Sequence, residues 1–248
     1  MPSLPVSTSS LSGSSTYPVA RLWALIPCAG VGTRAGSAGP KQYQPVAGKA
    51  MVLHTLASFS AVDRLAGTLV VVSEGDTFIG SENAAFFVAP CGGNTRAQSV
   101  LNGIFQLQNL GAKPSDWVLV HDAARCLITS QQINALIDAC LTDDVGGLLA
   151  LKLPDTLKRE VDGRVAETLE RGDKWLAQTP QMFRLAELQS ALQGAGAAVT
   201  DEASAMELAG KAPLLVEGSA QNFKVTYPQD FALAEAVLKA RSLEGKNV

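Results

Sequence analysis

Short, continuous apolar runs alternate with longer amphipathic segments along the chain, and this alternation restricts the folds that are open to it. Runs such as TLVVVS and DWVLVH are apolar at consecutive positions instead of at every second one, which is typical of strands that are buried on both faces. Strands of this kind that alternate with helices predict an α/β fold with a doubly wound, mostly parallel sheet. The 248 residues are enough for one large domain of this class, which we expect to span 21–242.

The same pattern gives the expected elements of this domain. Strands are predicted at 22–26, 68–73, 85–89, 117–121, 147–152, 214–217 and 222–226. Helices are predicted at 51–60, 95–108, 130–141, 185–192, 201–209 and 228–241.

One polar segment, 153–175, interrupts the alternation. Its sequence KREVDGRVAETLE predicts two short strands around a tight turn at Asp162-Gly163, because Asp-Gly is typical of two-residue hairpin turns. About half of the segment is charged or polar, so it has too few apolar side chains for a core of its own. We therefore expect a protruding β-hairpin arm that reaches a second subunit.

Composition and charge exclude several classes of protein. The formal net charge is −3 and the chain has no block of Lys or Arg, so it does not fit a general nucleic-acid binder. Its four cysteines form no C-x-x-C pair and it has two histidines, which argues against structural zinc and for reduced thiols in the cytoplasm. No apolar run approaches the roughly 20 residues of a membrane span. Residues 1–20 are rich in Ser, Thr and Pro, and we expect a disordered tail there, or the remnant of an organellar targeting segment, instead of a secretory signal.

A glycine-rich stretch, IPCAGVGTRAGSAGPKQY at 26–43, follows the first predicted strand. Its glycines allow backbone N–H groups to approach a ligand closely. The stretch lacks the G-x-x-x-x-G-K-[ST] pattern of P-loop ATPases. Ala35 stands where a dinucleotide-binding G-x-G-x-x-G motif needs its third glycine, so an NAD(P) site is an alternative, as is a plain surface loop. Arg34 and Lys41 lie around the loop, and we predict that it wraps a negatively charged ligand.

The sequence HDAAR carries Asp122 directly after a strand of the buried type. Ligands of open α/β sheets bind beyond the carboxyl ends of the strands, and a lone carboxylate beside a triphosphate is a natural ligand of Mg²⁺. Asp122 is therefore a candidate metal ligand, with a helix-capping role as the alternative. We expect His121 to pack or to form hydrogen bonds instead of taking part in chemistry.

Three further motifs end or begin predicted elements. GGNTRAQS is a glycine turn before a helix that Asn94 or Thr95 can cap, and VTDEAS begins a helix with Thr200 as the expected N-cap. NFKVT puts Lys224 inside a predicted apolar strand. Such a lysine extends its ammonium group to solvent or, at the carboxyl edge of the sheet, into the site.

Seven stretches stand in a fixed order: PCAGVGTRAGSAGPKQY, GGNTRAQSV, WVLVHDAAR, DTLKR, TLERGDKWLAQTPQMF, TDEASAMEL and EGSAQNFKVT. Together they resemble the 2-C-methyl-D-erythritol 4-phosphate cytidylyltransferase family, from about residue 20 to the end of the chain. The resemblance implies a Rossmann-like nucleotidyltransferase fold and a cytoplasmic enzyme of isoprenoid precursor synthesis. The implied reaction joins CTP to methylerythritol phosphate, with Mg²⁺, and gives 4-diphosphocytidyl-2-C-methyl-D-erythritol and pyrophosphate. Members of the family are dimers, and the hairpin arm of each subunit inserts into the partner.

The resemblance also implies roles for individual positions of this sequence. The catalytic residues would be Arg34, Lys41, Arg171 and Lys224. The nucleotide-binding residues would be Pro27, Cys28, Ala29, Gly30, Gly32, Gly93, Asn94, Arg96, Ser99 and Ala123. Arg125, Thr156 and Thr200 would bind the sugar-alcohol phosphate, and Asp122 would bind the metal ion.

The chain departs from the family's usual residues at several positions. Cys28 stands in place of alanine, Ala35 in place of methionine and Cys126 in place of proline. Asn94 stands in place of an acidic residue and affects the expected contacts to ribose or base. Gln221 stands in place of an aspartate that often precedes the KVT lysine, which affects one contact to the sugar alcohol.

The implied reaction agrees with the kinds of residue in these motifs. The attacking phosphate oxygen is already ionised at neutral pH, so the reaction needs no general base, and the predicted site has no histidine or cysteine nucleophile. Two phosphate-bearing substrates repel each other, so catalysis consists of positioning and charge stabilisation.

Three other functions remain as alternatives. The nearest is a cytidylyltransferase of the same fold that acts on a pentitol phosphate such as ribitol 5-phosphate, although TDEAS and TLER favour methylerythritol phosphate. An NAD(P) oxidoreductase lacks the third glycine and any evident group for hydride transfer. A nucleotide-sensing module has no need of cations that bind an attacking phosphate.

Overall fold

A computed structural model of the chain describes residues 20–30, 39–80, 85–196 and 199–244. The strands are β1 (Leu22–Pro27), β2 (Pro45–Val46), β3 (Lys49–Ala50), β4 (Leu65–Val71), β5 (Phe87–Ala89), β6 (Trp117–Val120), β7 (Gly146–Lys152), β8 (Leu157–Val161), β9 (Arg164–Leu169), β10 (Trp175–Arg184) and β11 (Leu214–Glu217). The α-helices are α1 (Met51–Ser60), α2 (Arg96–Asn109), α3 (Ser130–Cys140), α4 (Leu185–Ala195), α5 (Glu202–Leu208) and α6 (Pro228–Glu244). A 3₁₀ helix spans Lys41–Tyr43.

A seven-stranded, mostly parallel sheet forms the centre of the molecule and confirms the predicted fold class. Its order is β11-β7-β10-β6-β1-β4-β5. Strand β1 is parallel to both of its neighbours, β4 and β6, and β11 is parallel to β7. Strand β10 is antiparallel to β6 and to β7.

The two faces of the sheet each carry an apolar core, as the continuous apolar runs predict. In β1, Ala24 and Ile26 pack into the core on the side of α1 and α3. Trp23 and Leu25 alternate with them and pack into the core on the side of α2, α4 and α5. Burial on both faces therefore explains why this strand is apolar at every position.

The prediction missed β10 and wrongly made 222–226 a strand. Strand β10 carries Gln178, Thr179 and Pro180 in its middle, where its register against β7 shifts, so its polar sequence does not resemble that of a central strand. The segment 222–226 lies in none of the described sheets, and a hydrogen bond from Val225 N to Ala124 O connects it to the loop after β6.

Two helix starts were predicted from capping residues, with different outcomes. Thr95 caps α2, because its hydroxyl accepts a hydrogen bond from Gln98 N at 3.1 Å. The prediction that Thr200 caps α5 is wrong. Asp201 is the N-cap, and its carboxylate accepts from Ser204 N at 3.0 Å.

The predicted hairpin is present as the antiparallel pair β8 and β9. Asp162 and Gly163 form its turn with φ of 50° and 74°, the left-handed values that favour Asp-Gly. Both strands are exposed along most of their length, including Val165. Contact of this arm with a second subunit stays a prediction.

Two further predictions concern the N-terminal tail and membrane-spanning segments. The predicted N-terminal tail lies outside the described residues, apart from residue 20. Among the residues that are described, no helix is both long and apolar enough to cross a bilayer.

Candidate active site

A cavity of about 330 Å³ lies at the carboxyl ends of β1 and β6, where ligands of open α/β sheets bind. Five segments form its wall: the loop after β1, the 3₁₀ helix, the turn and start of α2, the loop after β6 and the segment 222–226. It is lined by Pro27, Cys28, Ala29, Gly30, Lys41, Gln42, Gly93, Asn94, Thr95, Arg96, Ser99, Asp122, Ala123, Ala124 and Lys224.

The structure brings most of the predicted site residues to this cavity. Every predicted nucleotide-binding residue that is described lines it, as do Lys41, Lys224 and Asp122. Gly32 and Arg34 lie outside the described residues.

Close backbone approaches shape the wall between the loop after β1 and the start of α2. Gly92 N donates to Val72 O at 2.9 Å, and a Cβ on Gly92 would lie 2.3 Å from the Cβ of Ala29. A Cβ on Gly93 would lie 2.3 Å from Cγ of Gln98. Both glycines are therefore required for steric reasons.

Hydrogen bonds fix the positions of the loop after β1 and of the turn before α2. Gln42 Nε2 donates to Cys28 O at 2.7 Å, and Ser73 Oγ donates to Ala29 O at 2.9 Å. The Ser99 hydroxyl accepts from Gly93 N at 3.0 Å. Ser99 thus supports the glycine turn from inside α2.

Four charged side chains form a continuous network beside the cavity: Glu202, Arg96, Asp122 and Lys224. Nε of Arg96 donates to Oδ1 of Asp122 at 2.7 Å, and Lys224 Nζ lies 2.7 Å from Oδ2 of Asp122. Nη1 and Nη2 of Arg96 donate to the two carboxylate oxygens of Glu202 at 2.6 and 3.0 Å. Negative and positive groups therefore alternate along what we call the charge network.

Burial and neighbouring charges have opposite effects on the pKa values of Asp122 and Arg96. Burial by itself would raise the pKa of Asp122, which is 8% exposed, but the charges of Arg96 and Lys224 outweigh it and hold that pKa well below its usual range. Burial by itself would lower the pKa of Arg96, but Glu202 and Asp122 outweigh it and raise that pKa. Both groups are therefore ionised at neutral pH.

Lys41 brings a further cation to the cavity. Its side chain is buried, and its ammonium group donates a hydrogen bond to the carbonyl of Val225. Since Lys224 precedes Val225, this bond joins the 3₁₀ helix to the segment that carries the other lysine.

A second cavity of about 210 Å³ adjoins the first and shares Arg96, Asp122 and Lys224 with it. Strand β10 and the start of α5 form much of its wall. The remaining lining residues are Arg125, Ala177, Gln178, Thr179, Gln181, Thr200 and Asp201.

Arg125 is fixed in the second cavity by backbone carbonyls. Its guanidinium donates to Asn222 O at 2.8 Å and to Ala177 O at 3.1 Å. Burial lowers its pKa. Arg125 Nε and Asn222 Oδ1 are buried without a hydrogen-bond partner in the described part of the chain.

The structure does not bring Thr156 and Arg171 to either cavity within one chain. Both residues are exposed at the base of the arm, and the guanidinium of Arg171 donates to the carbonyl of Pro154. Any role of these two residues at an active site would need a different chain arrangement, such as contact with the site of a second subunit.

The predicted exclusion of thiol and imidazole chemistry agrees with the local environment. Burial lowers the pKa of His121 to about 3, and its ring nitrogens bond the Thr179 hydroxyl and the Arg125 carbonyl. Burial raises the pKa of Cys28 to about 12 and that of Cys126 to about 11. All three groups are therefore neutral at physiological pH.

Sequence reasoning missed two residues that build the site. Gln181 on β10 donates to Asp201 Oδ2 at 2.9 Å and accepts from Ala203 N at 2.7 Å, which attaches the start of α5 to the sheet. Glu202 has no exposed surface, whereas its sequence position suggested only a helix first turn. The signal that could have found Gln181 is the polar QTPQ stretch between apolar residues.

Asp122 is the predicted ligand of Mg²⁺. No group of three or more His, Cys, Asp or Glu side chains that could hold a metal ion occurs in 20–30, 39–80, 85–196 or 199–244. Each oxygen of Asp122 accepts one cationic donor, and a carboxylate has about four lone-pair positions. Mg²⁺ is commonly bound by one or two carboxylates together with substrate phosphates. Asp122 therefore fits a metal ion that is bound together with a nucleotide.

Comparisons with known proteins agree with this geometry. The family model for IspD, 2-C-methyl-D-erythritol 4-phosphate cytidylyltransferase, matches residues 22–240. The chain is 70% identical over 225 residues to a bifunctional IspD/IspF enzyme of Albidiferax ferrireducens, covering 90% of this chain and 54% of that protein. It thus spans about half the length of that relative.

Two further relatives match over nearly their whole length. The chain is 53% identical over 228 residues to the 2-C-methyl-D-erythritol 4-phosphate cytidylyltransferase of Burkholderia vietnamiensis, covering 89% of this chain and 97% of that protein. A crystal structure of 4-diphosphocytidyl-2C-methyl-D-erythritol synthase has 40% sequence identity and a TM-score of 0.78, and the match covers 88% of this chain and 98% of that one.

Proposed function

Because the chain belongs to the 2-C-methyl-D-erythritol 4-phosphate cytidylyltransferase family, we propose that its two adjoining cavities take the two substrates of that enzyme. The enzyme transfers the cytidylyl group of CTP to the phosphate of methylerythritol phosphate in isoprenoid precursor synthesis, with release of pyrophosphate. The observation that carries the proposal is that Arg96, Asp122 and Lys224 line both cavities. Two phosphate groups bound in the two cavities would meet at these residues.

The first cavity takes CTP. Residues 27–30 and Gly93 line it, where backbone N–H groups can approach a triphosphate, and Lys41 adds a positive charge. Arg34, in the same loop by sequence, completes the set of cations around the triphosphate. Asn94 and Ser99 also line this cavity and would contact the nucleoside.

The second cavity takes methylerythritol phosphate. Arg125 supplies the charge for its phosphate, and Thr200 supplies a hydroxyl group for hydrogen bonding. The exposed positions of Thr156 and Arg171 support a homodimer in which the arm of one chain brings both residues to the site of its partner.

Charge stabilisation is the main catalytic effect in this site. The acceptor phosphate oxygen attacks the α-phosphorus of CTP, the bond from that phosphorus to the bridging oxygen breaks, and pyrophosphate leaves. Lys224 holds the attacking phosphate next to the α-phosphate, while Lys41 and Arg34 compensate charge on the leaving group. No group needs to remove a proton, in agreement with a neutral His121.

Asp122 would hold Mg²⁺ together with the nucleotide phosphates. When bound, the metal ion compensates phosphate charge and favours departure of pyrophosphate. Free thiols at all four cysteines support a reducing, cytoplasmic location.

Pyrophosphate release from purified protein tests the proposal. Turnover is expected with CTP, Mg²⁺ and methylerythritol phosphate, and loss of turnover is expected when a chelator removes the metal ion. UTP in place of CTP, and ribitol 5-phosphate in place of the acceptor, serve as matched controls. Faster turnover with ribitol 5-phosphate would assign the second cavity to pentitol phosphates instead.

A further inference from the structure

Glu202 is a buried carboxylate that, within the described part of the chain, accepts hydrogen bonds from one residue. It has no exposed surface, and it accepts both of its bonds from the Nη atoms of Arg96. Neither of the two cavities described above includes it in its lining. A separate cavity of about 70 Å³ is lined by Glu202 together with Arg96, Thr200 and Asp201. The hydrogen bonds to Arg96 are the polar contacts that connect Glu202 to the charge network.

The N–H donors of Arg96 are divided between Glu202 and Asp122. A guanidinium group has five N–H donors and prefers to bind a carboxylate with two of them at once. Glu202 takes such a pair at the Nη atoms, and Asp122 receives a single bond from Nε. Arg96 is thereby prevented from giving two donors to Asp122, whose other oxygen is 2.7 Å from Lys224.

We propose that Glu202 is a positioning residue that keeps the Asp122 carboxylate available to the metal ion. With Glu202 charged, the Nη atoms of Arg96 stay with it, and Asp122 retains lone pairs that a metal–nucleotide complex can use. Without that charge, Arg96 would turn its paired donors toward Asp122, the remaining carboxylate that it contacts. Arg96 and the metal ion would then compete for the same oxygens. This inference depends on the proposed function, since it concerns the same site.

Glu202→Gln is the direct test, because it removes the charge and keeps the size of the side chain. We expect the Mg²⁺ concentration for half-maximal rate to rise about 10- to 100-fold, the usual effect of removing a group that orients a metal ligand. At a fixed Mg²⁺ concentration the KM for CTP should rise as well, because binding of the metal ion and binding of the nucleotide are linked. The matched control is Glu207→Gln, the same substitution at an exposed position of the same helix.

A binding measurement gives an answer that does not depend on turnover. Calorimetry with CTP, in Mg²⁺ and in excess chelator, measures how much the metal ion strengthens nucleotide binding. This ratio should fall toward one in Glu202→Gln and stay at the wild-type value in Glu207→Gln. Affinity for CTP in chelator should be unchanged or higher in Glu202→Gln.

Glu202→Asp covers the case in which Glu202→Gln does not fold, as judged by thermal unfolding. It keeps the charge but shortens the side chain by one methylene, so we expect a smaller rise in the Mg²⁺ requirement, in the same direction. A folded variant with reduced turnover and wild-type Mg²⁺ dependence would overturn the inference and leave Glu202 a structural residue. Absence of turnover and of CTP binding in the wild type would instead refute the proposed function.

Discussion

Asp122→Asn separates the structural and the chemical roles of the charge network, because it removes one charge and keeps the shape. The carboxylate accepts two charged hydrogen bonds, each of 2.7 Å. The amide keeps one acceptor and directs a donor at the second cation, so one bond is lost. A hydrogen bond to a charged group is worth about 1.5–3 kcal/mol, and we expect the free energy of unfolding to fall by about that amount.

The partners of Asp122 set the upper limit of this loss. Removing one partner of a fully buried ion pair costs about 3–5 kcal/mol when it leaves an uncompensated charge. Here Arg96 keeps Glu202, and the Lys224 side chain is 38% exposed and reaches water. The loss should therefore stay below that range. A loss of about 1.5–3 kcal/mol corresponds to a fall in Tm of roughly 3–12 °C for a chain of this size.

Urea unfolding measures the stability of Asp122→Asn, and pyrophosphate release measures its turnover. The matched control is Asp138→Asn, since Asp138 also pairs with an arginine but its side chain is 69% exposed; its effect should be at most about 1 kcal/mol. Turnover of Asp122→Asn should fall about 10²- to 10³-fold. A folded Asp122→Asn protein with wild-type stability and full turnover in Mg²⁺ would refute this account of the network.

Other substitutions test separate parts of the site and the fold. Lys41→Ala should lower kcat about 10²- to 10³-fold with a smaller change in the KM for CTP, and a change in KM alone would assign Lys41 to ground-state binding. Cys28→Ala should keep turnover within a few-fold, because the thiol is buried and neutral; complete loss in a folded protein would contradict this. Burial would raise the pKa of Asp116, but hydrogen bonds from the backbone N–H groups of residues 113 and 21 and from Trp23 outweigh it and lower that pKa. The stabilisation by the ionised Asp116 should therefore be present above about pH 4 and be lost as the pH falls through the folded-state pKa. The difference in unfolding free energy between wild type and Asp116→Asn should then shrink below pH 4. A difference that is unchanged at pH 3 would contradict this prediction. In isolated mixed dimers of Lys41→Ala and Arg171→Ala chains, one site should carry both lesions and the other neither, so about half of wild-type activity should return; no recovery would show that the arm serves its own chain.

Most of the fold could be predicted because its strands are apolar at consecutive positions. The runs before and after the glycine-rich loop, at 22–26 and 68–73, lie in β1 and β4 with small shifts of boundary. Strand β10 could not be predicted, because its polar middle contributes side chains to the second cavity. The same polar side chains also form hydrogen bonds that connect β10 to Ser219, to Asp122 and to the start of α5.

The sequence predicted which residues lie at the site, but not the contacts between them. Motifs brought together Lys41, Asp122 and Lys224, and all three line the first cavity. No sequence pattern could show that Glu202 binds Arg96, because the two residues are 106 positions apart and each also fits a plain helix start. Contacts between distant segments depend on the fold as a whole.

The contacts of the cations also explain how the site is stable before substrates bind. Arg96 and Lys224 both adjoin the place where two phosphates would meet, and without substrate they would repel each other and leave buried charge uncompensated. Asp122 and Glu202 remove this cost, since each cation has a carboxylate within 2.7 Å. Lys224 is more exposed than Arg96 and has only Asp122 as an ion-pair partner in the described chain, whereas Arg96 has two carboxylates. An incoming phosphate can therefore attract Lys224 away from Asp122, while Arg96 stays in place and keeps the wall between the two cavities fixed.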